Sequence, residues 1–110
     1  MGRFVSGDVV VVPFPFSDLS SAKRRPALVL AELEGDDRIV CQITSRPVGD
    51  QDAMPLGETD FEAGGLRQAS NVRPNRLFTA DSRLILYAVG RVRADVHSRI
   101  VDRVVDILRR

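Results

Sequence analysis

The sequence predicts an α+β fold that is mainly β: a small curled antiparallel sheet, or open barrel, crossed by one C-terminal helix. Three observations predict it. Two continuous apolar runs, Val9–Val12 and Ala27–Ala31, are of strand length, and the first is β-branched throughout. Turn-forming clusters, among them Gly35-Asp36-Asp37 and Gly64-Gly65, separate short segments of alternating character. Val96, Ile100, Val101, Val104, Ile107 and Leu108 recur at three- and four-residue steps, which makes one apolar helical stripe. At 110 residues the chain has room for one core, so residues 1–110 read as a single domain.

Each element follows in order. Asp8 to Pro13 reads as the first strand, which Pro13 and Pro15 should end because proline cannot donate to a ladder. A loop, Phe16-Ser17-Asp18-Leu19-Ser20-Ser21-Ala22, then leads into a basic turn, Lys23-Arg24-Arg25, with Pro26 at its border with the second strand. The second strand should form a hairpin with a third, Arg38–Thr44, across Gly35-Asp36-Asp37. Val48–Leu56 reads as a polar loop, and Thr59–Phe61 as a short strand closed by Gly64-Gly65. Ser70–Arg73 and Arg76–Thr79 read as strand pieces broken at Pro74, and Leu84–Val92 as a helical turn leading through Gly90 into a strand. Asp95 is the expected N-cap of the final helix, and Arg109 and Arg110 suit the negative end of its dipole.

Composition removes several function classes. No apolar run is long enough to span a bilayer, and no signal-peptide pattern opens the chain, so no membrane partner is expected. The single cysteine, Cys41, rules out an internal disulfide and suits a cytoplasmic setting; in mid-strand it reads as a buried, inert thiol. The single histidine, His97, falls in the first helical turn and reads as a surface residue, leaving no histidine pair for acid–base work. With no Cys/His cluster, no metal or cofactor is expected, and Glu58, Asp60 and Glu62 read as a solvated edge strand. The net charge of +1 hides a gradient: residues 36–62 hold two basic and seven acidic side chains, residues 63–110 ten and four. Local clusters of that kind, more than net charge, set where an anion docks.

Polar residues at strand ends remain. If the second and third strands pair across Gly35-Asp36-Asp37, the start of one lies beside the end of the other, making Arg25 a neighbour of Thr44. A guanidinium beside a hydroxyl suits a phosphate oxygen, the first neutralising charge and the second fixing orientation. An ordinary strand-end threonine next to a loop arginine fits the same geometry equally well.

Gly7-Asp8-Val9-Val10-Val11-Val12-Pro13-Phe14, Arg24-Arg25-Pro26-Ala27-Leu28-Val29-Leu30 and Ile43-Thr44-Ser45 follow one another in this order, and Val72-Arg73-Pro74-Asn75 and Thr79-Ala80-Asp81 come after them. In these motifs, and on to the C-terminal helix, the chain resembles the PemK/MazF family of toxins. The resemblance implies a small SH3-like antiparallel β-barrel with a C-terminal α-helix, usually working as a homodimer. It also implies the toxin of a type II toxin–antitoxin module, a sequence-specific, metal-independent endoribonuclease cutting single-stranded RNA at short sequences by attack of the 2′-hydroxyl. Arg25 and Thr44 match the family's catalytic residues. RNA or antitoxin contacts are expected from Lys23 and Arg24 on a loop, and from Ser45, Arg46, Arg73 and Asn75. Asn75 stands where some members carry an aspartate, and an asparagine cannot act as a base. Ser20-Ser21-Ala22-Lys23 also departs from the family's usual loop. The competing expectations are a toxin that blocks a protein target, as CcdB blocks gyrase, and an inactive RNA-binding member. The first of these depends on a C-terminal Trp-Gly-Ile that this chain lacks, ending instead Ile107-Leu108-Arg109-Arg110.

Overall fold

A computed structural model describes residues 4–15 and 22–110. Among them the chain forms one antiparallel sheet of seven strands and a C-terminal helix. The strands are β1 (Asp8–Pro15), β2 (Ala22–Glu32), β3 (Asp37–Thr44), β4 (Met54–Leu56), β5 (Phe61–Gly64), β6 (Ser70–Asp81) and β7 (Tyr87–Val92), and the helix is α1 (Ala94–Leu108). The sheet order is β4-β6-β3-β2-β1-β7-β5, which places β2 in the middle and β4 and β5 at the edges. Only Gly57–Asp60 separates those two edges along the chain, so the sheet curls into an open half-barrel. Of the loop expected over Phe16–Ala22, residues 16–21 lie outside the described residues, and Ala22 already belongs to β2.

Alternation along the strands splits the core in two. Val9, Leu28, Leu30, Cys41, Ile43 and Val72 point to the side covered by α1, where Val96 and Ile100 meet them. Val10, Val12, Ala27, Val29 and Val40 pack on the opposite face with Ala80 and Ile85. The β2–β3 hairpin forms as expected, closed by Leu33 N–H donating to Asp37 O (3.0 Å), with Gly35 at φ +81° in the left-handed region its missing Cβ permits. Cys41 is fully buried, and desolvation pushes its thiol up to about 12 against a smaller opposing effect of a Leu28 backbone hydrogen bond, so it is inert as expected.

Several expectations need correction. Pro13 and Pro15 do not end β1; they lie beyond Val11, where pairing with β7 stops, and so need no donor on that side. Lys23, Arg24 and Arg25 are not a turn but part of β2, opposite Phe14, Pro13 and Val12. The Val48–Leu56 loop contains β4, which adds Met54–Leu56 to the free edge of β6 and buries Leu56. Residues Glu58–Asp60 form a 3-10 turn because Gly57 N–H donates to Asp60 Oδ2 (2.7 Å), and the strand begins only at Phe61. The break at Pro74 is a bulge inside the continuous strand β6: Cys41 pairs with Leu77 but Gln42 with Arg73, leaving Pro74, Asn75 and Arg76 in between.

The helix begins earlier than Asp95. Arg93 is the N-cap, because its N–H donates to Asp60 O (2.9 Å) and turns the chain straight out of β7. Asp95 instead sits in the first turn and accepts from Arg93 Nε (3.0 Å), still favourably placed for the dipole. Leu108 is exposed at the helix end and not part of the packed stripe. His97 is half-buried and not a surface residue: its Nε2 donates to Leu30 O (3.1 Å), tying α1 to β2. No helix among the described residues is long and apolar enough to cross a membrane.

Candidate active site

Register places the two residues of greatest chemical interest. Ala27 pairs with Gln42, so one step of two residues along each strand brings Arg25 level with Thr44 on the same face of the sheet. Arg25 is half-buried at a point where β2 is gripped by β1 through Val12, and Pro26 fixes the backbone behind it. Thr44 closes β3. Its Oγ1 accepts from Arg46 N–H (3.2 Å), a bond that uses a lone pair and leaves the hydroxyl proton to be donated. Arg25, Thr44 and Ser45 line one cleft of about 280 Å³ together with Leu66, Arg67, Gln68 and Ser70.

The other expected contacts lie around this cleft and not in it. Lys23 and Arg24 are exposed further along β2, beside the prolines of β1, and Arg46 is exposed beyond Thr44. Arg73 pairs with Gln42, two strands from β2 and so about 10 Å from it, on the Thr44 face. Asn75 is exposed in the β6 bulge. Both are engaged by Asp50, whose Oδ2 accepts from Asn75 Nδ2 (2.8 Å) and Arg73 NH2 (3.4 Å).

Sequence reasoning missed Arg67, Gln68 and Ser70 in the cleft, and Asp50 and Asp52 beside it. The first group was accessible by the argument that paired Arg25 with Thr44. The start of β6 must lie beside the end of β3 if those strands are antiparallel, and Thr44 does pair with Asn71. No local signal marks Asp50 as a partner of β6, because Arg73 and Asn75 are 23 and 25 residues away.

The Asp50–Asp52 segment is a clasp. Asp52 accepts from Arg110 NH2 (2.6 Å) and NH1 (3.2 Å), and its backbone carbonyl accepts from Arg103 NH1 (3.2 Å), so the loop before β4 holds the end of α1. Arg110 thus serves a carboxylate as well as the helix dipole. The Asp52 N–H and then the Asn75 amide hold the Asp50 carboxyl below the usual 3.8, and the Arg110 guanidinium does the same for Asp52. A carboxyl depressed in the folded state contributes stability above its unfolded value and loses it as pH falls through the folded value. The wild-type urea midpoint should therefore fall more steeply below pH 3.8 than that of Asp52→Asn, with the two converging at the acid end. Parallel acid limbs in the two proteins would show that the clasp contributes nothing.

A model of the PemK-like, MazF-like toxins of type II toxin–antitoxin systems matches residues 6–108. The chain belongs to this family. Among solved structures, MazF from Deinococcus radiodurans is 22% identical, with all of both chains covered and a TM-score of 0.79. An endoribonuclease in complex with its cognate antitoxin, from a mycobacterial species, is 13% identical over 96% of this chain and 95% of that one, with a TM-score of 0.75. Mycobacterium tuberculosis toxin MazF-mt6 is 19% identical over 90% and 93%, with a TM-score of 0.68. At these identities the structures show a shared PemK/MazF-like fold: the curled sheet and C-terminal helix expected from the sequence. No curated protein matches the chain by sequence.

Proposed function

We propose that this PemK/MazF-family toxin is a metal-independent endoribonuclease that cuts single-stranded RNA and is held in check by an antitoxin. The observation that carries the reading is the shared cleft of Arg25 and Thr44, residues from adjacent strands at matched register. RNA brings its own nucleophile. Its 2′-oxygen attacks the adjacent phosphorus, the bond to the 5′-oxygen breaks, and the proton lost by the 2′-hydroxyl is balanced by one gained at the leaving oxygen. What the protein must supply is stabilisation of the charge that builds on the phosphorane oxygens.

Arg25 fits that role. A guanidinium carries a fixed positive charge and a fork of N–H donors, so it stabilises charge and can donate to the departing oxygen; it is a poor base. Thr44 donates its hydroxyl proton to a non-bridging oxygen. Arg67 lines the cleft and Arg46 is exposed just past Thr44, so both suit the phosphates on either side, while Arg73 becomes available to a phosphate once it leaves Asp50.

Antitoxin binding and pairing as a homodimer belong to the same reading. The mycobacterial endoribonuclease was solved with its cognate antitoxin, and MazF of Deinococcus radiodurans with MazE. An acidic antitoxin segment would suit the arginines around this cleft. Incubation with mixed single-stranded RNA in EDTA should yield fragments with 5′-hydroxyl and 2′,3′-cyclic phosphate ends. Intact RNA, or cutting only when Mg²⁺ is restored, would sink the proposal.

A further inference from the structure

Beside the cleft lies a larger cavity of about 510 Å³ that neither Arg25 nor Thr44 lines. It occupies the gap where the half-barrel fails to close, between the end of β4 and the start of β5. Its wall includes Leu56, Glu58, Phe61, Leu66, Arg67 and Gln68. The last three also line the Arg25–Thr44 cleft, so the two spaces adjoin along one loop.

The cavity has a fixed apolar wall and a polar rim. Leu56 is buried, and Phe61 is half-buried on β5. The Phe61 ring lies so close to β7 that a Cβ on Gly90 would come within 2.9 Å of its Cδ2. Gly64, at φ +62°, makes a still closer approach, since a Cβ there would stand 2.1 Å from Val89 O. Backbones in such contact cannot draw nearer to fill the space. Glu58 and Arg67, both exposed, provide an acceptor-only carboxylate and a guanidinium donor on the same cavity.

Glu58 offsets the charge of Arg67, so the cavity suits a neutral planar group with an apolar face and a donor–acceptor edge better than a phosphate. Single-stranded RNA is read in this way, by bases splayed against aromatic or apolar side chains and hydrogen-bonded at their edges. The volume lies within the range of small-ligand pockets, about 300–1,000 Å³.

We propose that this cavity is a base-selecting subsite: it holds one nucleobase of the RNA bound across the Arg25–Thr44 cleft, and Glu58 favours bases bearing an amino group over uracil. The proposal rests on the RNA-cutting reading of the neighbouring cleft. Glu58 accepts from the exocyclic amino group of adenine, cytosine or guanine, whereas uracil offers only its ring N3–H, flanked by two carbonyl oxygens that repel the carboxylate. Arg67, common to both spaces, positions the nucleotide between them.

The test uses the intact protein and a randomised single-stranded RNA pool, with bound RNAs and cleaved ends sequenced in parallel in EDTA. Wild type should disfavour uracil at one position near the cut, and Glu58→Ala, a change on an exposed turn, should reduce that discrimination by roughly fivefold to a hundredfold. An unchanged base profile in the folded variant, or no disfavoured uracil in wild type, overturns the subsite. Selective binding without cleavage would overturn the catalytic reading and leave the subsite standing. No binding of RNA would overturn both.

Discussion

Arg25→Ala is expected to lower RNA cleavage by about a hundredfold or more while leaving the fold in place. The magnitude is that of removing one preorganised group aimed at developing transition-state charge. Two features argue for a specific loss. Arg25 stands on β2 where Val12 pairs with it, so truncation removes the guanidinium without disturbing the ladder. The residue after it is proline, whose fixed φ keeps the backbone course. Arg25→Lys should recover little, because an ammonium keeps the charge but cannot present two parallel donors to a phosphate. Single-turnover cleavage of an RNA oligonucleotide, alongside circular dichroism and a melting curve, measures both halves. A folded Arg25→Ala protein that cuts at near wild-type rate would remove Arg25 from the mechanism.

The largest effect on stability is expected at Arg38. The residue is 2% exposed, and its guanidinium donates to three backbone carbonyls: Nε to Phe4 O (2.7 Å), NH1 to Gly35 O (3.1 Å) and NH1 to Asp37 O (2.8 Å). These bonds tie the segment before β1 to the β2–β3 hairpin. Arg38→Ala deletes three charge-assisted bonds, each worth about 1.5–3 kcal/mol, and opens a cavity. We expect a net loss of about 3–5 kcal/mol, since the Gly35 and Asp37 carbonyls regain some water at the exposed turn. For a chain of this size the thermal midpoint would fall by roughly 12 °C or more. Arg38→Met restores apolar volume without donors and should stay well below wild type. Near-wild-type melting of Arg38→Met would show that packing, and not the three bonds, holds the hairpin.

The contrast between Arg25 and Arg38 shows what the sequence could and could not reveal. Arg25 was legible because one assumption, a hairpin across Gly35, fixes its neighbour across the sheet; register converts position into contact. The helical stripe from Val96 to Val104 was legible for a related reason, since period alone decides which side faces the core. Arg38 carries no signal in the sequence beyond its place at the start of the third strand, and only the fold brings Phe4 over it. The Asp50–Asn75 and Asp52–Arg110 contacts were hidden in the same way, by separation along the chain. Strand ends failed where edge and centre differ: Pro13 and Pro15 end a strand only if both neighbours need their N–H groups, and here β7 has already stopped. The cavity between β4 and β5 arises from the curl of the whole sheet, which no window of residues encodes.

Sheet order carries a consequence for how the molecule comes apart. Proteins open locally with free energies that rise from the periphery inward, and the most protected amides sit on interior strands. Arg25 belongs to the innermost strand of seven and Thr44 to the next, whereas Glu58 and Phe61 belong to the seam between the two outermost strands. Under mild denaturant the seam should fray first, so that discrimination among sequences lapses while the scissile chemistry persists. The protein would then pass through a lax state before an inactive one, with its appetite broadening shortly before it is lost.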